Sequence, residues 1–263
     1  MLPFKCAPWL TRNTSVVVLT LTLAGCSSQP TPSETVSCAE IGYSVSDPAE
    51  PLNRGLFAFN RVVDDYALAP VARGYRYLPE FFQSGVHNFV ANFGEPKVFI
   101  NDLLQGNPRR SVTTLGRFVL NTTVGVVGLI DVSGMAGIPR HKADFGQTFG
   151  VWGVGNGPII ELPLFGTSNS RDAAGRVLSF VVDPFGSNSD TVDTLSTINT
   201  VGGVVDGRAE ALPLTDSLQQ LPDYYSALRN VVAERRAAYV VEGKRGALGA
   251  STQQCNGAET DGF

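Results

Sequence analysis

Between residues 47 and 242 the apolar positions of the chain recur mostly with helical spacing. Asp47-Pro48 reads as a cap followed by proline at the first helical position, after which Leu52, Leu56, Phe59 and Val63 share one face. Phe82, Val86, Phe89, Val90 and Phe93 form a clearer stripe that Gly94 is expected to stop. Pro96 and Pro108 are expected to open two further helices, the first closed by Gly106. Farther on, Arg171 to Asp183 places Ala174, Val177, Leu178 and Val181 on one side. Pro222 starts a last long helix, in which Tyr224, Leu228, Val231 and Ala238 recur and "AERRAAY" supplies a basic outer face. Alternating segments are short, and no evenly spaced hairpins occur. The pattern predicts an all-α body whose stripes pack into its core.

Two stretches break the pattern. Phe118 to Ile130, "FVLNTTVGVVGLI", carries no charge between Arg117 and Asp131, and its apolar side chains are not confined to one face. As a helix it would rise about 20 Å, short of the ~30 Å hydrocarbon core of a bilayer. It is expected either as a buried core helix or as a segment dipping partway into a membrane, with Phe118, Leu120, Val126, Val127, Leu129 and Ile130 as its apolar contacts. The second stretch, "VWGVGNGPIIELPLFG", sets Gly153, Gly155, Gly157 and Gly166 among apolar residues. A dinucleotide loop needs G-x-G-x-x-G, but Pro158 stands three residues past Gly155, and a P-loop needs Gly-Lys-Ser/Thr where no lysine lies between Lys142 and Lys244. Pro158 and Pro163 bar a regular helix, so an irregular loop with an apolar surface is expected. Trp152 suits either a lipid headgroup level or a core position.

The ends change the picture. Lys5 and Arg12 precede the short apolar run Ser15 to Ala24, and Leu23-Ala24-Gly25-Cys26 has the form of a bacterial lipobox, cleaved before a lipidated cysteine. Residues 1–25 are therefore expected to be a lipoprotein signal peptide, with Cys26 as the lipid attachment site. Ser27 resembles the residue found in lipoproteins sorted onward to the outer membrane. Residues 26–46 read as a Ser/Thr/Pro-rich lipidated tether, 47–242 as the folded body and 243–263 as a polar, Gly-rich tail. Losing Lys5 and Arg12 from 20 basic residues leaves 18 against 24 acidic ones, a net charge of −6 that disfavours nucleic-acid binding. With Cys6 removed and Cys26 lipidated, Cys38 and Cys255 are left, as a disulfide joining the two tails or as two free thiols.

Candidate chemistry is sparse. His87 and His141 are the two histidines, the first within an amphipathic stripe and the second between Arg140 and Lys142 in what reads as a solvated basic turn. No H-E-x-x-H, C-x-x-C or G-x-S-x-G occurs, and Asp64, Asp65 and Asp102 form no pair by spacing. No catalytic residue, metal ligand or cofactor is assigned, and an enzyme is not expected.

"PLNRGLFAFNRVVD", "NFGEPKVFINDLLQG", "RFVLNTTVGVVGLIDVSG" and "FGQTFGVWGVGNGPIIELPLFGTSNSRDAAG" resemble, in order and spacing, the MlaA (also called VacJ) family of outer-membrane lipoproteins, over residues 47 to 242. Ile159 departs from the aromatic often found after Gly-Pro. The resemblance implies an α-helical ring seated in the periplasmic leaflet of the outer membrane, pierced by an amphipathic channel and associated with a trimeric porin. It implies passive removal of stray glycerophospholipids from the outer leaflet and their transfer to a soluble periplasmic carrier. Asn60, Arg117, Asn121, Asp131, Arg171 and Asp172 match recurring family positions and are assigned to helix junctions and caps, with the dipole at a helix start explaining Asp172.

Overall fold

The computed structural model describes residues 45–182, 184–185 and 189–247. Cys26, Cys38 and Cys255 lie outside the described residues, as do the expected signal and most of the tether and tail. Helices dominate: α1 (Glu50–Val63), α2 (Ala69–Tyr75), α3 (Glu80–Leu104), α4 (Pro108–Thr123), α5 (Val132–Met135), α6 (Phe145–Val151), α7 (Ser170–Val181), α8 (Asp190–Leu218) and α9 (Tyr224–Ala247). One π-helical turn, Asp64–Leu68, joins α1 to α2. The all-α expectation holds for the body, and none of these helices is long and apolar enough to cross a membrane.

Several boundaries differ from the expected ones. The Gly94 and Pro96 signals do not divide α3, which continues through both to Leu104. A helix interior tolerates a proline where packing outweighs the lost hydrogen bond. Gly106, at φ +74°, and the Asn107 cap, whose side chain accepts from the Arg110 amide, separate α3 from α4. α8 carries no clean apolar stripe, so periodicity gives no sign of it.

Residues 118–130 are not one helix. α4 ends at Thr123, and 124–130 fold back as a tight loop in which Val126 (φ 53°), Val127 (φ 57°) and Gly128 (φ 88°) take left-handed conformations. Such angles cost a β-branched residue about 1–2 kcal/mol. Three backbone bonds hold the loop against that cost: Val127 N to Thr122 O, Gly128 N to Asn121 O and Ile130 N to Gly125 O.

The glycine stretch also holds more order than expected. Ile159–Leu162 (β1) and Gly166–Asn169 (β2) pair antiparallel, with Ile159 opposite Asn169 and Leu162 opposite Gly166. Gly153, Gly157 and Gly166 all have positive φ, which explains the glycines at those turns. The free edge of β1 is closed by the Ser46 carbonyl, which accepts from Ile159 N at 2.8 Å, and by side chains of α1 instead of a third strand. Asn53 accepts from Glu161 N at 3.0 Å and donates to Ile159 O at 3.1 Å. Asn60 donates to Leu162 O at 2.9 Å and accepts from Leu164 N at 2.7 Å. Seven residues of helix advance about 10.5 Å and three of strand about 10 Å, so two asparagines on one face of α1 keep step with β1.

Polarity in the body is inverted. Among the described residues, 11 hydrophobic side chains are buried, five of them alanine, against 21 polar or charged ones, while 32 large hydrophobic residues are exposed. The stripes of α1 and α7 face outward instead of into a core: Leu52 is 65 %, Phe59 52 % and Val177 64 % exposed, while Asn53, Arg171 and Asp172 on the same helices are buried; in the α3 stripe Phe89 is buried as expected. One small apolar cluster, Ala69, Ala72, Ala209 and Leu212, joins α2 to α8.

Asn53→Ala removes the partner of two buried backbone groups of β1 and should cost about 2–4 kcal/mol. The expected result is a lower denaturation midpoint in detergent and faster amide exchange at Glu161; an unchanged midpoint would refute the edge-closing role.

Candidate functional site: a polar interior within an apolar shell

Arg117 is fully buried on α4 and cannot shed its charge, so its surroundings must supply acceptors. Its Nε donates to Glu95 Oε1 of α3 at 3.3 Å, Nη2 to Asp131 Oδ1 at 2.8 Å, and Nη1 to the Ile138 carbonyl. Asn121, one turn on, donates to Asp131 Oδ1 at 2.9 Å and accepts from Ser133 N at 2.9 Å. Asp131 also caps α5 by accepting from Gly134 N at 3.0 Å. Arg117 and Asp131 therefore meet each other from the two ends of the uncharged stretch. Burial pushes the Asp131 carboxyl up, but these donors outweigh it and hold it below the ordinary range. Burial prevails at Glu95, which is raised despite Arg117 and Arg140.

A second junction ties α6, α7 and α9. Arg236 donates to Asp144 at 2.8 and 3.0 Å and to Asp172 at 2.7 and 3.0 Å. Asp144 caps α6 through Gln147 N at 2.7 Å, and Asn169 caps α7 through Asp172 N at 2.9 Å. Arg171 reaches back to Asn156 Oδ1 at 2.6 Å. Burial raises Asp144, but the Arg236 guanidinium overcomes it and leaves the carboxyl lowered. α6 and α7 approach so closely that a Cβ at Gly175 would lie 2.4 Å from Gly146 N, so both positions require glycine.

Polar contacts bridge these junctions. Thr114 donates to the buried Asp102 at 2.8 Å, and Thr148 donates to Asn101 at 2.7 Å. His141, expected on a solvated turn, is instead mostly enclosed, with Nε2 2.7 Å from Asp102 Oδ2. The turn folds inward because Asp102 lies beneath it. His87 Nδ1 lies 2.9 Å from Asp206 and 3.3 Å from Glu210. These three residues offer donor atoms within 4.8 Å of one another, the cation-holding grouping found among the described residues. Asp206 also accepts from the Tyr75 hydroxyl at 3.1 Å, and burial pushes that phenol up to about 12.

The shell has a different character. Leu120, Val126, Val127, Leu129 and Ile130 are exposed, and Phe118 is half-buried. A groove of about 650 Å³ lies among Val86 and Phe89 of α3, Val126 and Leu129 of the loop, and Leu195 and Ile198 of α8. Trp152 keeps more than half its surface exposed while Nε1 donates to Leu104 O at 2.9 Å. Turning ~100° per residue puts the groove residues of α3 roughly 130° from Gly94, Glu95, Val98 and Asn101, which line a cavity of about 330 Å³ with Arg140. α3 thus separates an apolar groove from a mixed cavity, where Glu95, Lys97 and Asn101 stand among Ala91, Gly94 and Val98. Asn53, Glu95 and Glu161 fall inside the family-like blocks and Arg236 outside them, but spacing does not single any of them out. For Asn53, Glu95 and Arg236 the signal in the sequence is polar residues at helical spacing opposite an apolar stripe; Glu161 lies on β1.

The MlaA lipoprotein family model matches residues 45–239. The chain is 35 % identical over 215 residues to the intermembrane phospholipid transport system lipoprotein MlaA of Escherichia coli K12, covering 76 % of this chain and 82 % of that one. It is 30 % identical over 213 residues to the protein of that name in Haemophilus influenzae, covering 76 % and 81 %. A solved structure described as the structural basis for maintenance of bacterial outer membrane lipid asymmetry aligns with a TM-score of 0.65 at 34 % identity, over 74 % of this chain and 99 % of that one.

Two predictions separate interior from shell. Arg117→Met, which strands Glu95 and Asp131, should cost about 3–5 kcal/mol in detergent. Val177→Ser should change stability by less than about 0.5 kcal/mol but weaken flotation with phospholipid vesicles; the opposite ranking would overturn the inverted polarity. For acid, the lowered Asp144 and Asp131 carboxyls contribute stability that is full above the ordinary aspartate value near 4 and is lost as pH falls below it. Glu95 acts oppositely, its penalty easing on protonation. Asp144→Asn should therefore lower stability at pH 7 and flatten its fall in acid, as followed by denaturation midpoints between pH 7 and 3.

Proposed function

The chain belongs to the MlaA lipoprotein family, and from that membership together with its inverted polarity we propose that it works in phospholipid transport, maintaining outer-membrane lipid asymmetry. In this reading Cys26 carries the lipid anchor, residues 26–46 are the tether, and the body at 47–242 sits in the periplasmic leaflet. Stray glycerophospholipids leave the outer leaflet through a passive amphipathic channel in a ring-like body, beside a trimeric porin, and pass to a soluble periplasmic carrier. The exposed apolar surface carries the reading: 32 large hydrophobic residues in contact with water would be costly, and a bilayer removes that cost.

Charge distribution supports the same reading. A headgroup crossing hydrocarbon unaided bears a large desolvation cost, which polar walls reduce. α3 supplies part of such a wall, with Glu95, Lys97 and Asn101 among small and apolar residues on the cavity side and Val86 and Phe89 on the other. The short loop 124–130 and Trp152 are the membrane or channel contacts of this scheme. The Escherichia coli and Haemophilus influenzae relatives are named as transport lipoproteins, and no catalytic step is proposed.

Deleting the gene should let phospholipid accumulate in the outer leaflet and make cells detergent-sensitive, with both reversed by the full chain; an unchanged outer leaflet would refute the proposal. Photocrosslinkers at Leu129 and Trp152 distinguish a porin-associated adaptor that moves no lipid. Labelled phospholipid captured at either position supports transport, and porin captured without lipid supports the adaptor.

A further inference from the structure

The cavity of about 330 Å³ beside α3 is bounded by Gly94 to Asn101, by residues 140–144, by Ser179 of α7 and by Tyr239 of α9. Its volume falls at the lower end of the range for small-ligand sites, about 300–1,000 Å³. Lys97, Arg140 and Lys142 line it, and so do two carboxylates, Glu95 and Asp144. Both carboxylates are already committed. Asp144 takes both terminal nitrogens of Arg236, and Glu95 accepts from Arg117 at 3.3 Å. Counted together, Arg117 and Arg140 balance Glu95 and Asp131, Arg171 and Arg236 balance Asp144 and Asp172, and the buried Asp102 is met by His141 and Arg110.

Lys97 and Lys142 are left over. Neither has a carboxylate within 4.0 Å among the described residues. Lys97 Nζ donates one hydrogen bond, to Ser179 O at 3.0 Å, and an ammonium has three donors. Arg140 also lines the cavity. Its Nε and Nη2 are buried and form no hydrogen bond, the acidic oxygens nearest them being 3.7 Å away on Glu95 and 3.4 Å away on Asp131. A buried N–H without an acceptor costs about 1–3 kcal/mol or more for a charged group. The cavity thus combines two ammoniums that have no carboxylate partner, with donors of Lys97 unused, and the charge of Arg140, whose enclosed Nε and Nη2 face Glu95 and Asp131.

We propose that this cavity binds a phosphate group through Lys97, Arg140 and Lys142, whether the phosphodiester of a lipid headgroup or a free phosphate ion. Several oxygens spread over one anion suit two point-charge ammoniums, with the Arg140 guanidinium adding positive charge beside them. The choice of lipid over free ion rests on the transport reading above; the phosphate chemistry does not.

The test uses the full chain purified in detergent, titrated calorimetrically with inorganic phosphate and with dihexanoyl-phosphatidylglycerol below its micelle concentration, at fixed chloride. Lys97→Gln/Lys142→Gln leaves the Arg117 and Arg236 junctions intact and should keep the wild-type melting temperature. Saturable binding to wild type, weakened at least tenfold in that variant, is the expected result, and Arg109→Gln should bind as wild type. Short-chain lipid that competes with phosphate identifies the headgroup as the ligand. Phosphate binding that the lipid does not displace identifies the free ion. Binding of neither probe, or equal binding by the double-lysine variant, overturns the site. Failure of the site and failure of the transport reading stay distinct: the first leaves the deletion phenotype in place, and the second leaves phosphate binding in place without one.

Discussion

A guanidinium withdrawn from water keeps its charge, and the body is arranged around meeting that demand. Arg117 draws Glu95 from α3, Asp131 from the start of α5 and the Ile138 carbonyl into one place. That requirement sets how α3 crosses α4 and why the chain must fold back between Thr123 and Asp131. Arg236 does the same for α6, α7 and α9 by clamping Asp144, the α6 cap, and Asp172, in the first turn of α7, at once. Removing one partner from such a cluster is far more costly than assembling it is favourable, so these junctions specify geometry more than they supply stability. Apolar burial within the chain cannot make up the difference, because so few large apolar side chains lie inside. Apolar surroundings outside the chain must take that part. In a bilayer the hydrophobic drive between helices is absent and interhelical polar contacts act as the glue, which is the distribution found here.

This explains what the sequence disclosed and what it hid. Periodicity identifies a helix face but not which face looks inward. The Leu52/Phe59 and Val177/Val181 stripes are genuine, and their direction is reversed. The complementary signal was present in Asn53 and Asn60 seven apart, Arg117 and Asn121 four apart, and Arg171 and Asp172 opposite the apolar side of α7. Reading those polar positions as the packed face would have given the right orientation. Family blocks carried the identity because motif order survives where polarity statistics mislead. α8 and the hairpin stayed hidden for separate reasons. α8 mixes Ser, Thr and Gly with its apolar residues, and each strand is four residues long, with one edge closed by asparagine side chains from α1.

The uncharged stretch shows the same principle at smaller scale. Its helical half ends where Asn121 turns inward to Asp131, and its remaining half folds back at the cost of two left-handed valines. Gly128 is where the loop passes Asn92, since a Cβ there would lie 2.5 Å from the Asn92 side-chain nitrogen. The loop thereby presents Val126, Val127 and Leu129 to the groove beside α3 and α8 instead of extending α4. An apolar run that reads as too short to span a bilayer is short because it does not travel along one axis at all.

α3 brings these strands of reasoning together. Phe89 and Glu95 are six residues apart and serve opposite surroundings, the groove and the cavity. A conduit for an amphiphile needs both, an apolar path for chains and donors for a headgroup, and it must not hold either too tightly, since passage requires release as well as entry. In the proposed transport reading, the composition of the cavity suits that condition. Lys142 is exposed, Lys97 already gives one of its donors to Ser179, and Glu95 and Asp144 stand nearby to oppose any anion. A pocket built for permanent retention would enclose its cations and exclude carboxylates. Interleaving committed acids with two uncompensated lysines gives attraction without a trap, and the buried charge junctions hold that balance in place.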